Sequence, residues 1–375
     1  MTPFGALAAL AAATALSAAE SGTLLHYGTV GNISCKRGPC FSRAIGHPAV
    51  QRLLLDIASG PRDSAAIDAA LRESGVTRQD LEKLRLIWRQ GDRWRLGFTL
   101  WTRADVERVA AAGERHAKSL AAAYLARRAR IDEVLARYPV ETVDPAAMAF
   151  IVVGCFSLDW DGLRFAAAKR LRGEHEQRPD GRYTPHAAEP VEIPSGRLYW
   201  ASSSSWFGRL AITGFGDHVA PDGIPSTFRT ERTAKMMLTL RDGARPADEL
   251  GEAAMALEAL AGADWVVSRD GKWRARIPVF SAADRDLIRE ALRIGREALE
   301  EWFARDADAL RRELADLSPS RSGVPFEEQF TQVWHYVFGT ANRILIEAGW
   351  LADPYRVSSA RKGYIPTVFD GVIQQ

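Results

Sequence analysis

Asp92-Arg93-Trp94-Arg95 and Gly271-Lys272-Trp273-Arg274 decide the reading of this chain, because the second stretch echoes the first 179 residues later. Each follows or contains a Gly/Asp pair, Gly91-Asp92 in one and Asp270-Gly271 in the other, the chemistry of a tight hairpin turn. Working outward, Thr102 and Asp105 return as Ser281 and Asp284 at the same offset, each pair opening a long stretch of helical periodicity. Leu158, Ala168 and Leu171 correspond to Phe338, Ala348 and Leu351 at an offset of 180. Ser21-Gly22-Thr23-Leu24 corresponds to Ser195-Gly196-Arg197-Leu198 at 174. Loop insertions in a duplicated chain produce such a drift, and 375 residues accommodate two domains.

Both copies read in the same order. A strand-like segment comes first, His26 to Ser34 in one and Leu198 to Phe215 in the other. Pro48 to Ala58 then places Val50, Leu53, Leu54 and Ile57 at helical spacing, with Gly60-Pro61 as a stop. Asp63 or Ser64 caps a second helix carrying Ile67 and Leu71, and Gly75 breaks it. Thr77 caps a third, with Leu81, Leu84 and Leu86 inward, and Ile87 to Trp101 predicts a hairpin. The second copy predicts helices over Thr230 to Leu240, Ala247 to Gly251 and Ala253 to Ala261, then a hairpin from Trp265 to Phe280. After each hairpin comes one long helix, Arg103 to Arg137 and Ala282 to Leu317, ended by Pro139 and Pro319. A shorter apolar helix follows in each half, Pro145 to Leu171 with a break near Asp159, and Phe326 to Leu351.

Three short helices and a hairpin in that order resemble the winged helix-turn-helix superfamily, including the arsenic-repressor-like and multiple-antibiotic-resistance-regulator-like bacterial regulators. The expected fold is α+β and mostly helical: two tandem winged-helix-like repeats, each followed by a long helix. In the regulators such helices make the dimer interface, so the resemblance implies an intramolecular pseudo-dimer. The expected organisation is an Ala-rich segment at 1–20, a first repeat at 21–172, a polar linker at 173–194, a second repeat at 195–357 and a tail at 358–375.

The resemblance implies a transcription regulator with duplex DNA as partner, and phosphate and base contacts call for Arg, Lys, Asn or Gln on the third helix and wing. Thr77, Arg78, Gln79, Lys83 and Arg85 meet this on the first third helix, and Arg89, Arg93 and Arg95 on its wing. In the second copy the wing carries Arg269, Lys272, Arg274 and Arg276, of which the first three are taken as contacts. Its third helix holds two glutamates and no basic residue. The alternative is a protein-interaction or hydrophobic-ligand-binding protein on the same scaffold, since fold alone does not imply function. Most of the eleven tryptophans are expected in the core, with a pocket lining as the other use.

No enzyme, cofactor or metal is expected. Asp159 and Asp161 read as a helix start, and Ser202 to Ser205 as an edge strand or loop lacking the Gly-x-Ser-x-Gly elbow. Asp217-His218 is glycine-flanked but has no second histidine nearby, and His175 and His186 read as solvated. Cys155 sits in an apolar run, whereas Cys35 and Cys40 bracket a turn and could close a disulfide in an exported protein. Phe4 to Ala19 has the apolar stretch and small-residue end of a secretory signal without its basic start. Localisation is therefore read as cytoplasmic, with export the alternative, and no membrane span is expected. A net charge of +2 gives no global attraction to phosphate, so any contact must come from local patches.

Overall fold

The computed structural model describes residues 24–35, 38–192, 196–218, 224–358, 360 and 363–374. The expected Ala-rich segment, and with it the signal reading, lies outside the described residues. The protein is a mixed, mostly helical α+β fold with several small sheets.

The first half runs β1 (His26–Ile33), α1 (Phe41–Ile45), α2 (Pro48–Ser59), α3 (Ser64–Leu71), α4 (Arg78–Lys83), β2 (Ile87–Gln90), β3 (Arg93–Leu96) and β4 (Thr99–Trp101). There follow α5 (Arg103–Leu125), α6 (Arg128–Leu135), α7 (Pro145–Ala149), a π-helical stretch Phe150–Asp161, α8 (Gly162–Ala168), β5 (Glu176–Arg178) and β6 (Gly181–Ala188). The second half runs β7 (Tyr199–Phe207), β8 (Leu210–Asp217), α9 (Glu231–Asp242), β9 (Arg245–Pro246), a 3-10 stretch Ala247–Ala256, α10 (Leu257–Gly262), β10 (Val266–Arg269), β11 (Lys272–Ala275) and β12 (Val279–Phe280). It ends with α11 (Arg285–Glu313), α12 (Ser318–Arg321), α13 (Phe326–Glu347), α14 (Pro354–Val357) and β13 (Tyr364–Asp370).

Local chemistry sets these boundaries. Asp63 accepts from the Ala66 amide at the start of α3, and Thr77 and Asp80 close a reciprocal capping box on α4. The same box, Ser281 with Asp284, opens the segment leading into α11. Thr102 with Asp105 opens α5, the Thr102 amide donating to Asp105 Oδ2 at 3.0 Å. The helices α4 and α10 both end on a residue with left-handed backbone, Arg85 and Asp264. In each the next amide reaches back five residues, Leu86 to the Leu81 carbonyl and Trp265 to that of Leu260, both at 2.8 Å.

The same strand pairings occur twice. Arg62 bridges Trp94 of the β2-β3 hairpin, and Arg245 on β9 pairs with Trp273 of the β10-β11 hairpin, both antiparallel. The strand after each hairpin pairs in parallel with a late strand, β4 with β6 and β12 with β13. Those late strands pair antiparallel with the strand before the first helix, β6 with β1 and β13 with β8. Tyr183 and Pro185 on β6 thus stand where β13 has Tyr364 and Pro366.

The chain divides into two compact units. One is built from Met1–Arg115, Phe165–Gly196 and Asp306–Val337, the other from His116–Arg164, Arg197–Arg305 and Phe338–Gln375, so each takes helical segments from both halves. The first has its core among α2, α3, α4 and the surrounding strands, with Leu53, Leu54, Ile67, Leu81, Phe98 and Tyr183 buried. In the second, Met237, Leu240, Leu260, Trp265, Ile277 and Val368 do the same work. Burying side chains of this size stabilises each core by about 1.5–3 kcal/mol per residue.

Several expectations need correction. The polar stretch 173–194 carries β5 and β6, and the tail 358–375 carries β13, an inner strand of a four-stranded mixed sheet. The first long helix stops at Leu125 and restarts at Arg128. The Ala123 carbonyl there accepts from the Arg127 guanidinium, while the Arg127 amide turns to the Tyr124 carbonyl. The helical path from Pro145 to Ala168 does not break near Asp159, and Asp159 and Asp161 are buried within it rather than starting a helix. By length and composition this segment could cross a membrane, but 94% of its apolar window is buried inside the protein. The second copy's expected helices 247–251 and 253–261 are a 3-10 stretch kinked at Gly251 followed by the short α10.

Candidate nucleic-acid interface

The first unit presents α4 beside the β2-β3 hairpin. Thr77 is consumed as the α4 cap, its hydroxyl donating to Asp80 Oδ2 at 2.7 Å, and this bond holds the Asp80 carboxyl below its ordinary pKa. Arg78 turns back into the module: its Nε lies 3.0 Å from Asp68 Oδ1, its Nη1 donates to Ser64 Oγ at 2.8 Å, and its guanidinium covers the Trp94 ring. Arg85 pairs with Glu176 at 2.9 Å, and Arg95 donates to the Arg321 carbonyl at 3.1 Å. These four positions are committed within the unit.

Gln79 and Lys83 on α4 are exposed, as are Arg89 and Arg93 on the hairpin. Arg89 donates to the Gly91 carbonyl, and Arg93 has only distant carboxylates, Asp63 at 3.8 Å and Asp92 at 3.9 Å. Exposed pairs at such distances are worth little and leave the cation available to a phosphate. The hairpin is held from behind, since Trp88 donates its indole N–H to the Ser322 carbonyl at 3.1 Å.

In the second unit Arg269, Lys272 and Arg274 are exposed and make no ion pair among the described residues. Arg276 is bound to Asp264. The turn between β10 and β11 puts Asp270 and Gly271 both at positive φ, the two-residue geometry that Asp-Gly favours. Glu249 and Glu252 lie on the neighbouring 3-10 stretch and Glu258 on α10, and neither element carries a cation of its own.

Two polar clusters lie apart from these cations, one of them around the Asp217-His218 pair already visible in the sequence. In the first unit His175 Nδ1 lies 2.9 Å from Thr184 Oγ1, Arg172 meets its Nε2 at 2.9 Å, and Gln332 lies 3.2 Å from His186 Nδ1. His335 is buried beside them. Neither His175 nor His186 is solvated as expected, and burial lowers both to about 4 and His335 to about 3. No spacing signal marks these histidines, because a strand, a loop and α13 bring them together.

In the second unit His218 Nδ1 lies 3.0 Å from Asp217 Oδ1 and 3.2 Å from the Leu198 carbonyl. Both neighbours accept, so Nδ1 carries a hydrogen. Tyr355 donates to Asp217 Oδ2 at 2.8 Å, and burial followed by that carboxylate raises its pKa to about 12. Ser202 to Ser205 lie on the edge strand β7, as expected from the sequence. The same unit has a cleft of about 560 Å³ lined by Leu135, Tyr138, Val143, Met148 and Trp350, with Arg128 and Asp132 among its polar groups.

The chain matches no family model, no curated protein and no solved structure.

Proposed function

We propose that this is a duplicated winged-helix protein that binds duplex DNA chiefly through its two hairpins. The observation that carries the reading is the retention of exposed cations on both wings, Arg89 and Arg93 in one and Arg269, Lys272 and Arg274 in the other. Support for the scaffold comes from the order helix, bridging residue, helix, helix, hairpin in each half, with Arg62 and Arg245 meeting Trp94 and Trp273. That is the arrangement in which a wing lies along the phosphates while the third helix faces a groove.

The third helices contribute little on this reading. Arg78 is folded back onto Asp68 and Trp94, and α10 has no cation to offer. Gln79 and Lys83 remain as groove-facing candidates on α4. Binding through phosphates alone is tolerant of sequence, so the protein is a weakly selective binder. Fluorescence anisotropy with an unrelated set of labelled duplexes tests this: affinities within about tenfold of each other are expected. A single duplex preferred by a thousandfold would point instead to base reading by α4.

A second reading has its own support. The Cys35–Cys40 disulfide belongs to an oxidising compartment, where a chromosome is not the partner, and the cleft beside Trp350 would suit an apolar ligand. Recovery of the mature chain outside the cytoplasm, free of nucleic acid, would favour it.

A further inference from the structure

Cys35 and Cys40 are joined as a disulfide in the first unit, with Cα atoms 5.4 Å apart. Asp180, from the turn between β5 and β6, comes to the same place: one oxygen of its carboxylate and the two sulfurs lie within 4.8 Å of one another. Cys40 and Asp180 are each only 3% exposed. The carboxylate is oriented from two sides, Tyr183 donating its hydroxyl to Oδ1 and the Phe41 amide donating to Oδ2, both at 2.7 Å. Ser42 Oγ sits 3.4 Å from the Cys35 sulfur and 3.3 Å from that of Cys40.

Comparison of the two halves argues that packing does not require this trio. Three residues before Tyr364, where the sequence of the first half has Asp180 before Tyr183, the sequence has Arg361. The stretch from His218 to Ser226, which leads from β8 toward α9, contains no cysteine. The same sheet is thus built without either feature. Two sulfurs and a hydrogen-bonded carboxylate converging on one point are, in chemical terms, three ligands of a soft tetrahedral site.

We propose that the Cys35–Cys40 pair is a thiol-switched zinc site, closed as a disulfide when oxidised and binding Zn²⁺ through Cys35, Cys40 and Asp180 when reduced. A small dithiol supplies two electrons and two protons, becoming a cyclic disulfide while the Cys35–Cys40 bond opens to two thiols. Zn²⁺ then displaces both thiol protons to solvent and takes the two thiolates and one Asp180 oxygen. The fourth position is left to water. Tyr183 and the Phe41 amide fix the carboxylate in the manner of outer-shell partners, and Ser42 is placed to donate to a thiolate. The spacing of four residues between the cysteines lies within the range zinc sites use.

The test is metal titration of the full chain, before and after reduction by a metal-free phosphine, with Zn²⁺ measured by competition against a chromophoric chelator and Co²⁺ as the spectroscopic probe. The reduced protein should take one Zn²⁺ per chain, and its Co²⁺ form should show thiolate-to-metal charge transfer. The oxidised protein should take none. C155S should behave as wild type, C35S should lose the charge-transfer band, and D180N should weaken Zn²⁺ binding at least tenfold. Asp180 also holds the start of α1, so circular dichroism of D180N accompanies the titration, and C35S supplies an independent arm should D180N misfold. A reduced wild type that takes no Zn²⁺ in competition with the chelator overturns the proposal. So does a folded D180N that binds Zn²⁺ as tightly as wild type.

Discussion

The guanidinium of Arg78 lies over the indole of Trp94, 5.2 Å from the ring centroid, and so ties the first residue of α4 to the hairpin that follows it. With Asp68 and Ser64 completing its contacts, this arginine is a clamp rather than a reader. Arg78→Ala should cost about 1–2 kcal/mol of stability, the sum of a cation–π contact and partly exposed polar contacts. Urea denaturation followed by tryptophan fluorescence measures it, and DNA affinity at fixed salt should fall less than for the paired Arg89→Ala/Arg93→Ala variant.

Trp265 is fully buried in the second unit and packs edge-on against Phe228, with ring centroids 5.4 Å apart. Trp265→Ala should destabilise the protein by about 3–5 kcal/mol, the range for removing a large core aromatic. A shift in the denaturation midpoint corresponding to less than 1 kcal/mol would mean that this core is not organised around Trp265.

Gly216 on β8 faces its neighbour β13, where an added Cβ would lie 2.1 Å from the Gly363 carbonyl oxygen and 2.6 Å from the Tyr364 Cα. Both obstacles are backbone and cannot move aside without breaking the ladder. Gly216→Ala should therefore cost about 3 kcal/mol, at the upper end of overpacking penalties. Gly262→Ala, with open space around it, should change stability by less than about 0.5 kcal/mol.

Acid should weaken the first unit through its histidines. His335 is held neutral to about pH 3 by burial, with His186 and Arg172 adding to the effect, whereas an exposed histidine takes its proton near 6.5. Below 6.5 the unfolded chain thus binds more protons than the folded one, so stability falls as pH drops toward the folded value. The loss for His335 should be on the order of 2 kcal/mol by pH 5. Chemical denaturation at pH 7, 6 and 5 should show that decline, and His335→Gln should flatten it.

The sequence made the local elements legible and left the long-range ones hidden. Asp63, Thr77 and Thr102 mark helix starts through side-chain chemistry that acts within three residues, and the Gly/Asp turns act over two. β6 and β13 escaped because their partners, β1 and β8, are more than a hundred residues away, and a polar alternating strand reads like a linker. The Tyr-x-Pro echo between Tyr183-Thr184-Pro185 and Tyr364-Ile365-Pro366 was the available signal. The basic residues of the proposed interface were visible as residue types, but their availability was not. Arg78, Arg85 and Arg95 find partners at Asp68, Glu176 and Arg321, which no spacing rule brings near. The zinc-site trio was half visible, since Cys35 and Cys40 stood out while Asp180 joins them only through the strand pairing.

Salt dependence of duplex DNA binding tests the wing-centred account most directly. Each phosphate contact contributes about −0.9 to the slope of log affinity against log salt. Five wing cations predict a slope of about −4 to −5 for the wild type, and replacing Arg269, Lys272 and Arg274 by alanine should reduce its magnitude by about 2.7. A wild type that fails to bind duplex DNA at low salt, or a triple variant whose slope is unchanged, would contradict the account.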